Sequence, residues 1–343
     1  MKTSEFNYHL PPELVAQYPA EKRTASRMLV LDRKTGTISD RKFIDLPEIL
    51  DSTYFLVLND SRVFKARLFG HRSTGGKVEI FLVRRMKKNS LSWRALLRPS
   101  GRIKSGEKIW FDGKNHITAI DDPGPVERTI TFEGSAEEKF IISRYGKIPL
   151  PPYIRREAEA TDRDRYQTVY AAESGSVAAP TAGLHFSSGV MSSLRQKKIA
   201  IEKVTLHVGP GTFKPVTASE VKDHIVDPEF AVVTKKTADT VNLQKDEGKK
   251  LLAVGTTSVR TIEATAETSG RIKPMTEMVD LFIYPPYKYR AVDAILTNFH
   301  LPQSSLLMLV AAFCGQEFLK QAYLHAVAEK YRFYSYGDCM LIL

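Results

Sequence analysis

Histidine, threonine, asparagine and aspartate recur in this chain at one kind of place, directly after short apolar runs. Residues 55–58 are followed by Asn59, Asp60, Ser61 and Arg62. Residues 202–208 are followed by Gly209, Pro210, Gly211 and Thr212. Residues 251–254 are followed by Gly255, Thr256, Thr257 and Ser258, and residues 291–296 by Thr297, Asn298, Phe299 and His300. A fifth stretch, 178–186, carries Thr181, Gly183 and His185 just before a helix-like segment. Turn chemistry explains glycine and asparagine at such positions. It does not explain repeated histidine and threonine. Imidazole and carboxylate side chains at strand ends are the equipment of acid–base chemistry. His185, His207, His300 and Asp60 are therefore the catalytic candidates. A hydrogen-bonded structural histidine accounts for any one of the three histidines singly; their shared placement argues for function.

His207 has a second argument. After Glu202 the even positions up to Val208 are apolar, so period-two geometry puts His207 on the opposite face with Thr205 and Lys203. Gly255 through Ser258 open a helical stretch, where free backbone N–H groups and hydroxyls suit a carboxylate or phosphate; a plain helix cap is the bland alternative. The 223–229 segment offers metal-donor types in Asp223, His224, Asp227 and Glu229, but Pro228 interrupts it and no HExxH spacing supports it. A solvated or substrate-contacting loop is the favoured reading, and no metal is expected.

Between residues 84 and 104 stand Arg84, Arg85, Lys87, Lys88, Arg94, Arg98, Arg102 and Lys104, with no acid and with Trp93 among them. Basic residues interleaved with an aromatic on a β scaffold suit a phosphate backbone. A basic hairpin without special role is the alternative.

These residues need elements to position them. From about Lys65 to Ile148 the chain reads as short alternating segments with Gly, Pro and Asp punctuation, the pattern of a small β-barrel or sandwich. Before and after it, strand-like runs alternate with helix-like stretches, the pattern of an α/β domain. The expected organisation is an α/β catalytic domain, discontinuous over 1–64 and 149–343, with an inserted small antiparallel β-barrel domain over 65–148. A chain of 343 residues suits two such units. In open α/β sheets ligands bind beyond the carboxyl ends of the strands, which is where the candidate residues fall.

Composition narrows the function. Fifty Lys and Arg against 39 Asp and Glu give a net charge of +11, which makes a polyanionic partner a live hypothesis. Two isolated cysteines, Cys314 and Cys339, exclude a disulfide scaffold and fit a reducing compartment. The first residues carry an early acid and no apolar core of a signal peptide, and the longest apolar run, 306–314, is too short to span a bilayer. A cytoplasmic protein with no membrane association is expected. P-loop, dinucleotide-type GxGxxG and GxSxG motifs are all missing.

The stretches FNYHLPPELVAQY (6–18), VLNDSRVFKAR (57–67), GGKVE (75–79), IPLPPYI (148–154), YQTVYA (166–171), AAPTAGLHF (178–186), LHVGPGTF (206–213), AVGTTSVR (253–260), TNFHLP (297–302) and YRFYSYGD (331–338) run from end to end of the chain. In this order they resemble the bacterial S-adenosylmethionine:tRNA ribosyltransferase-isomerase family of queuosine biosynthesis. The resemblance implies an α/β fold with an inserted β-barrel. It implies that S-adenosylmethionine, as co-substrate, donates a ribosyl group that is isomerised onto 7-aminomethyl-7-deazaguanine at the tRNA wobble position. Epoxyqueuosine-tRNA, adenine and methionine would be the products. No obligate protein partner is evident.

On that reading the chemistry needs a base to remove a proton next to the sulfonium and an acid to help adenine leave, roles open to His185, His207, His300 and Asp60. Thr181, Gly183, Gly209, Gly211, Thr212, Gly255, Thr256, Thr257, Ser258 and Asn298 are candidates for holding S-adenosylmethionine. Arg62, Arg67, Arg84, Arg85, Lys87, Lys88, Trp93, Arg98 and Tyr166 are candidates for tRNA contact. The chain departs from the family pattern at Asp227, where a second histidine is common, and at Pro286, where glycine is usual. Two other classes compete. A non-catalytic RNA-binding protein would leave the strand-end residues scattered. A hydrolase using Ser258 or Ser305 would need a Ser–His–acid geometry.

Overall fold

The fold is described from a computed structural model, over residues 1–87, 89–120, 127–213 and 215–343. Its centre is a nine-stranded sheet. The strand order is Met275–Val279, Glu229–Val233, Ile201–Leu206, Tyr54–Asn59, Lys250–Val254, Ala294–Asn298, Cys339–Ile342, Arg27–Asp32 and Thr37–Lys42. The four strands from Ile201–Leu206 to Ala294–Asn298 are mutually parallel. In the inner three, Tyr54–Asn59, Lys250–Val254 and Ala294–Asn298, both faces are covered and the strands read as apolar runs, whereas Ile201–Leu206 carries Glu202, Lys203 and Thr205 among its apolar residues. Leu56, Val57, Leu252, Ala253, Ile295 and Leu296 are each fully buried. The Cys339–Ile342 strand runs antiparallel to Ala294–Asn298 and parallel to Arg27–Asp32, and so joins the Arg27–Lys42 hairpin to the rest of the sheet. Two apolar clusters fill the two sides of this sheet, one around Phe55, Val259, Ile295 and Phe333 and the other around Leu56, Phe186, Leu194 and Leu341.

The interrupting segment closes on itself. Strands Arg128–Thr131, Ser92–Arg98, Lys77–Arg85, Arg67–Arg72, Lys108–Trp110 and His116–Ile120 form a six-stranded antiparallel barrel. Leu68, Ile80, Leu82, Leu97 and Ile130 fill it, and Ile141 from the Ser135–Tyr145 helix packs against them. The α/β architecture with an inserted antiparallel barrel agrees with the alternation in the sequence. A short parallel pair, Ser61–Val63 with Glu173–Ser176, ties the exit toward the barrel to the return from it. Among the described residues no helix is long and apolar enough to cross a membrane.

Candidate active site

Beyond the carboxyl ends of the parallel strands lies a cleft of about 720 Å³, open to solvent. Each wall is built from the segment just past one strand. Val208 and Thr212 come after Ile201–Leu206. Gly255, Thr256 and Thr257 come after Lys250–Val254, and Asn298 and His300 close and succeed Ala294–Asn298. Ala178 to Ala182, Tyr153, Tyr334 and Ser335 complete the enclosure. The Thr256–Thr265 helix starts at its edge, and Gly255 makes that start possible with φ +87°, a conformation L side chains rarely adopt. Ser304, the N-cap of the Ser305–Cys314 helix, also lines the cleft. Two helix N-termini therefore meet there, each with backbone N–H groups free of intrahelical partners.

His300 is the histidine that lines this space. Its main chain is held at both ends, since its N–H donates to the Tyr323 hydroxyl at 2.9 Å and its carbonyl accepts the Tyr8 hydroxyl at 2.5 Å. Its Nε2 lies 2.9 Å from Thr297 Oγ1. Burial lowers its pKa to about 3, so the ring is neutral at physiological pH. A further buried polar atom in the lining, the Tyr334 hydroxyl, has no hydrogen-bond partner, and the Asn298 side chain interacts with the ring of His185. Tyr153 stacks on Tyr334 with ring centroids 4.6 Å apart.

The candidates divide by position. Thr181, Thr212, Gly255, Thr256, Thr257, Asn298 and His300 gather in the cleft. Ser258 is fully buried, and its hydroxyl donates to the Val254 carbonyl at 2.7 Å, four residues back. His185 borders a smaller, neighbouring cavity with Arg23, Ser26 and Arg165. Its Nδ1 is 2.8 Å from Ser26 Oγ, and its ring also interacts with the Asn298 side chain of the cleft lining. Asp60 is buried, accepts the Thr205 hydroxyl at 2.8 Å, and has its pKa raised by desolvation. The His207 ring stacks on Phe230 and lies where a Cβ on Gly175 would come within 2.8 Å of it. Burial lowers its pKa. Neither Asp60 nor His207 borders the cleft.

Close packing accounts for two of the glycine candidates. A Cβ on Gly183 would fall 2.0 Å from the Tyr170 hydroxyl, and one on Gly211 would fall 2.3 Å from Asp227 Oδ2. Gly209 has room, with Glu229 at 3.9 Å.

On the barrel, Trp93 is 6% exposed and its indole N–H donates to Glu138 at 2.7 Å, so its ring belongs to the barrel core. Arg85 lies over that ring and pairs with Glu138 at 2.7 Å. Arg67 pairs with Glu79 at 2.7 Å, and Arg62 donates to the Ala171 carbonyl. Tyr166 is fully buried. Arg84, Lys87 and Arg98 are exposed and carry no ion pair among the described residues. Lys88 lies outside the described residues. One group able to share a metal ion occurs among the described residues, His116 with Glu133 and Glu137; it is on the barrel and none of its members borders the cleft.

Sequence reasoning missed Tyr153, Tyr334 and Ser335. All lie in the family-like stretches 148–154 and 331–338, but no strand-end pattern marks them. Tyr334 sits at φ +70°, which a tyrosine in sequence does not announce. It also missed Glu229 and Arg260. The sequence puts Glu229 at the end of a solvated or substrate-contacting loop; it is 4% exposed and begins the Glu229–Val233 strand.

The buried imidazoles carry a stability consequence. Desolvation holds His185 at about 4 and His300 at about 3, below the ordinary 6.5. An unfolded chain takes up these protons as pH falls through 6.5, whereas the folded chain does not until near 4 and 3. Their contribution is therefore intact above pH 6.5 and is lost as pH falls toward 4. For His185 the loss amounts to about 3 kcal/mol. Urea titrations from pH 7 to 4.5 are expected to show stability falling with acid, and His185→Gln to flatten the fall. An identical slope in the variant would refute this account.

A sequence profile of the family described as queuosine biosynthesis protein matches residues 3–342. The chain is 46% identical over 343 residues to the S-adenosylmethionine:tRNA ribosyltransferase-isomerase of Trichlorobacter lovleyi, covering all of both chains. It is 43% identical over 365 residues to that of Syntrophus aciditrophicus, again covering all of both. The crystal structure of the S-adenosylmethionine tRNA ribosyltransferase of Thermotoga maritima superposes with a TM-score of 0.55 at 35% identity, covering 99% of this chain and 100% of the other.

Proposed function

We propose a division of labour for a chain that belongs to the S-adenosylmethionine:tRNA ribosyltransferase-isomerase family of queuosine biosynthesis: the cleft holds S-adenosylmethionine, and the acceptor base of tRNA enters over it. The protein is a tRNA-modifying transferase-isomerase. The observation that carries the assignment of the cleft is its make-up. Two helix N-termini, a ring of threonine hydroxyls and one imidazole converge beyond the carboxyl ends of parallel strands.

The chemistry of the lining fits that substrate. Backbone N–H groups at Thr256 and Thr257 suit the methionine carboxylate. The stacked faces of Tyr153 and Tyr334 suit a sulfonium cation. The Tyr334 hydroxyl, buried without a partner, and the Asn298 side chain beside it in the lining suit polar groups of the adenosyl moiety. His300, neutral at pH 7, is the group assigned to take the proton from the carbon next to the sulfonium. Adenine and methionine are then released as the ribosyl carbons pass, rearranged, to the amine of 7-aminomethyl-7-deazaguanine. His185, His207 and Asp60 lie outside the cleft and are assigned supporting roles. Such a reaction belongs where tRNA is, in the cytoplasm.

The test is direct. The protein is mixed with S-adenosylmethionine and tRNA bearing 7-aminomethyl-7-deazaguanine, the RNA is digested, and nucleosides and free adenine are measured by mass spectrometry. Epoxyqueuosine appearing with adenine is the expected result. Binding of tRNA without either product would overturn the proposed reaction.

tRNA contact is assigned in part to the Lys77–Arg85 and Ser92–Arg98 hairpin, where Arg84 and Lys87 have no ion pair among the described residues. Arg84→Gln with Lys87→Gln is expected to reduce the slope of log affinity against log salt by about 1 to 2. An unaltered slope, measured by filter binding, would move the tRNA elsewhere on the surface.

A further inference from the structure

One buried ion pair joins the two walls of the cleft. Glu229 and Arg260 are 4% and 6% exposed, and Arg260 Nη1 donates to Glu229 Oε2. The other carboxylate oxygen, Oε1, accepts the Gly209 N–H at 2.8 Å and the Thr212 hydroxyl at 3.0 Å. Arg260 completes its fork on the carbonyls of Leu281 and Val279, each at 3.1 Å. It lies one helical turn beyond Thr256. Thr212 and Thr256 both line the cleft. A single carboxylate thus connects the 209–212 turn on one wall to the Thr256–Thr265 helix on the other.

A buried ion pair is not required for folding as such, because an apolar pair of similar volume often stabilises as well or better. What an apolar pair cannot supply is an acceptor for the N–H and hydroxyl of the turn. We infer that Glu229 is a positioning residue, which acts through Thr212 to hold the 209–212 turn at the distance from the Thr256–Thr265 helix that S-adenosylmethionine needs. The inference rests on the reading that this cleft is the S-adenosylmethionine site.

The experiment compares steady-state constants for both substrates in Glu229→Ala, Glu229→Gln and Thr212→Val, each corrected for the folded fraction. Glu229→Ala removes the acceptor altogether. Glu229→Gln keeps an oxygen for the turn and loses the charge pairing. Thr212→Val leaves the ion pair intact and removes only one hydrogen bond to it. The KM for S-adenosylmethionine is expected to rise roughly ten- to a hundredfold in Glu229→Ala, the loss of a hydrogen-bonded charged group, and less in Glu229→Gln. The KM for tRNA should stay unchanged. A fall in thermal midpoint with S-adenosylmethionine KM unchanged would reduce the pair to a structural role and overturn the inference. Should Glu229→Ala fail to fold, Glu229→Gln, whose side chain does not border the cleft, decides by the same criterion. Asn298→Ala, which faces the cleft without touching Glu229, is the control. If its KM shifts and those of the Glu229 and Thr212 variants do not, only the positioning role fails. If none shifts, the assignment of S-adenosylmethionine to the cleft fails.

Discussion

His300→Ala is expected to lower turnover by about two to four orders of magnitude, the range associated with losing a positioned proton-transfer group. The KM for S-adenosylmethionine should move by much less. The structure favours a clean experiment, because the main chain of His300 is anchored by Tyr8 and Tyr323 independently of its ring. His207→Ala is the comparison, since that ring lies against Phe230 and Gly175 rather than in the cleft. Equal losses in the two variants would place proton transfer outside the cleft. A pH profile adds an independent reading. With its pKa near 3, His300 is already in its base form throughout the neutral range. The wild-type rate is therefore expected to lack an acidic limb between about pH 6 and 8 from this group. A limb near the ordinary histidine value of about 6.5 that vanishes in His300→Ala would keep the proton-transfer role and overturn the lowered pKa, whereas one that persists in His300→Ala belongs to another group.

Gly183→Ala is expected to destabilise the protein by about 1 to 3 kcal/mol, the usual cost of forcing extra volume into a packed site. The added Cβ would fall 2.0 Å from the Tyr170 hydroxyl and 2.8 Å from Thr168 Cγ2. Both neighbours are buried, so neither can swing into solvent. Tyr170→Phe removes the nearest atom and should recover part of the loss in the double variant. The measurement is the urea midpoint of the four proteins in the cycle. A Gly183→Ala protein of normal stability but weakened S-adenosylmethionine binding would show instead that this glycine admits the ligand.

Much of this architecture was legible in the chain because the two periodicities differ. The continuous apolar runs at 55–58 and 251–254 mark strands covered on both faces, while Lys77–Arg85 alternates as a barrel strand must. The positions just past each run include Thr212, Gly255, Thr256, Thr257, Asn298 and His300, which share one cleft. The same rule does not separate His300 from His207 or Asp60. A strand-end position fixes the height of a residue along the sheet, not whether its side chain faces the cleft or a neighbouring strand. Charge was a coarser guide. Counting cations between 84 and 104 could not reveal that Arg85 is held by Glu138, or that Trp93 fills the barrel, because the partner of both arrives from a helix more than forty residues later. Glu229 was hidden for a related reason, since the partner that buries it, Arg260, is thirty-one residues away on a helix.

The place of the Cys339–Ile342 strand also orders events during synthesis. It stands between Ala294–Asn298 and Arg27–Asp32, and Met28 to Leu31 pair with Cys339 to Ile342. Among the first elements to leave the ribosome, the Arg27–Lys42 hairpin cannot dock on the sheet until residue 342 has been made. Through that interval the Arg27–Asp32 strand keeps an unpaired edge, the kind of surface on which nascent chains associate wrongly. Ribosome-bound chains halted before residue 339 therefore carry the barrel sequence complete and the sheet open, and it is at this stage, rather than in the finished enzyme, that a holding chaperone has most to protect.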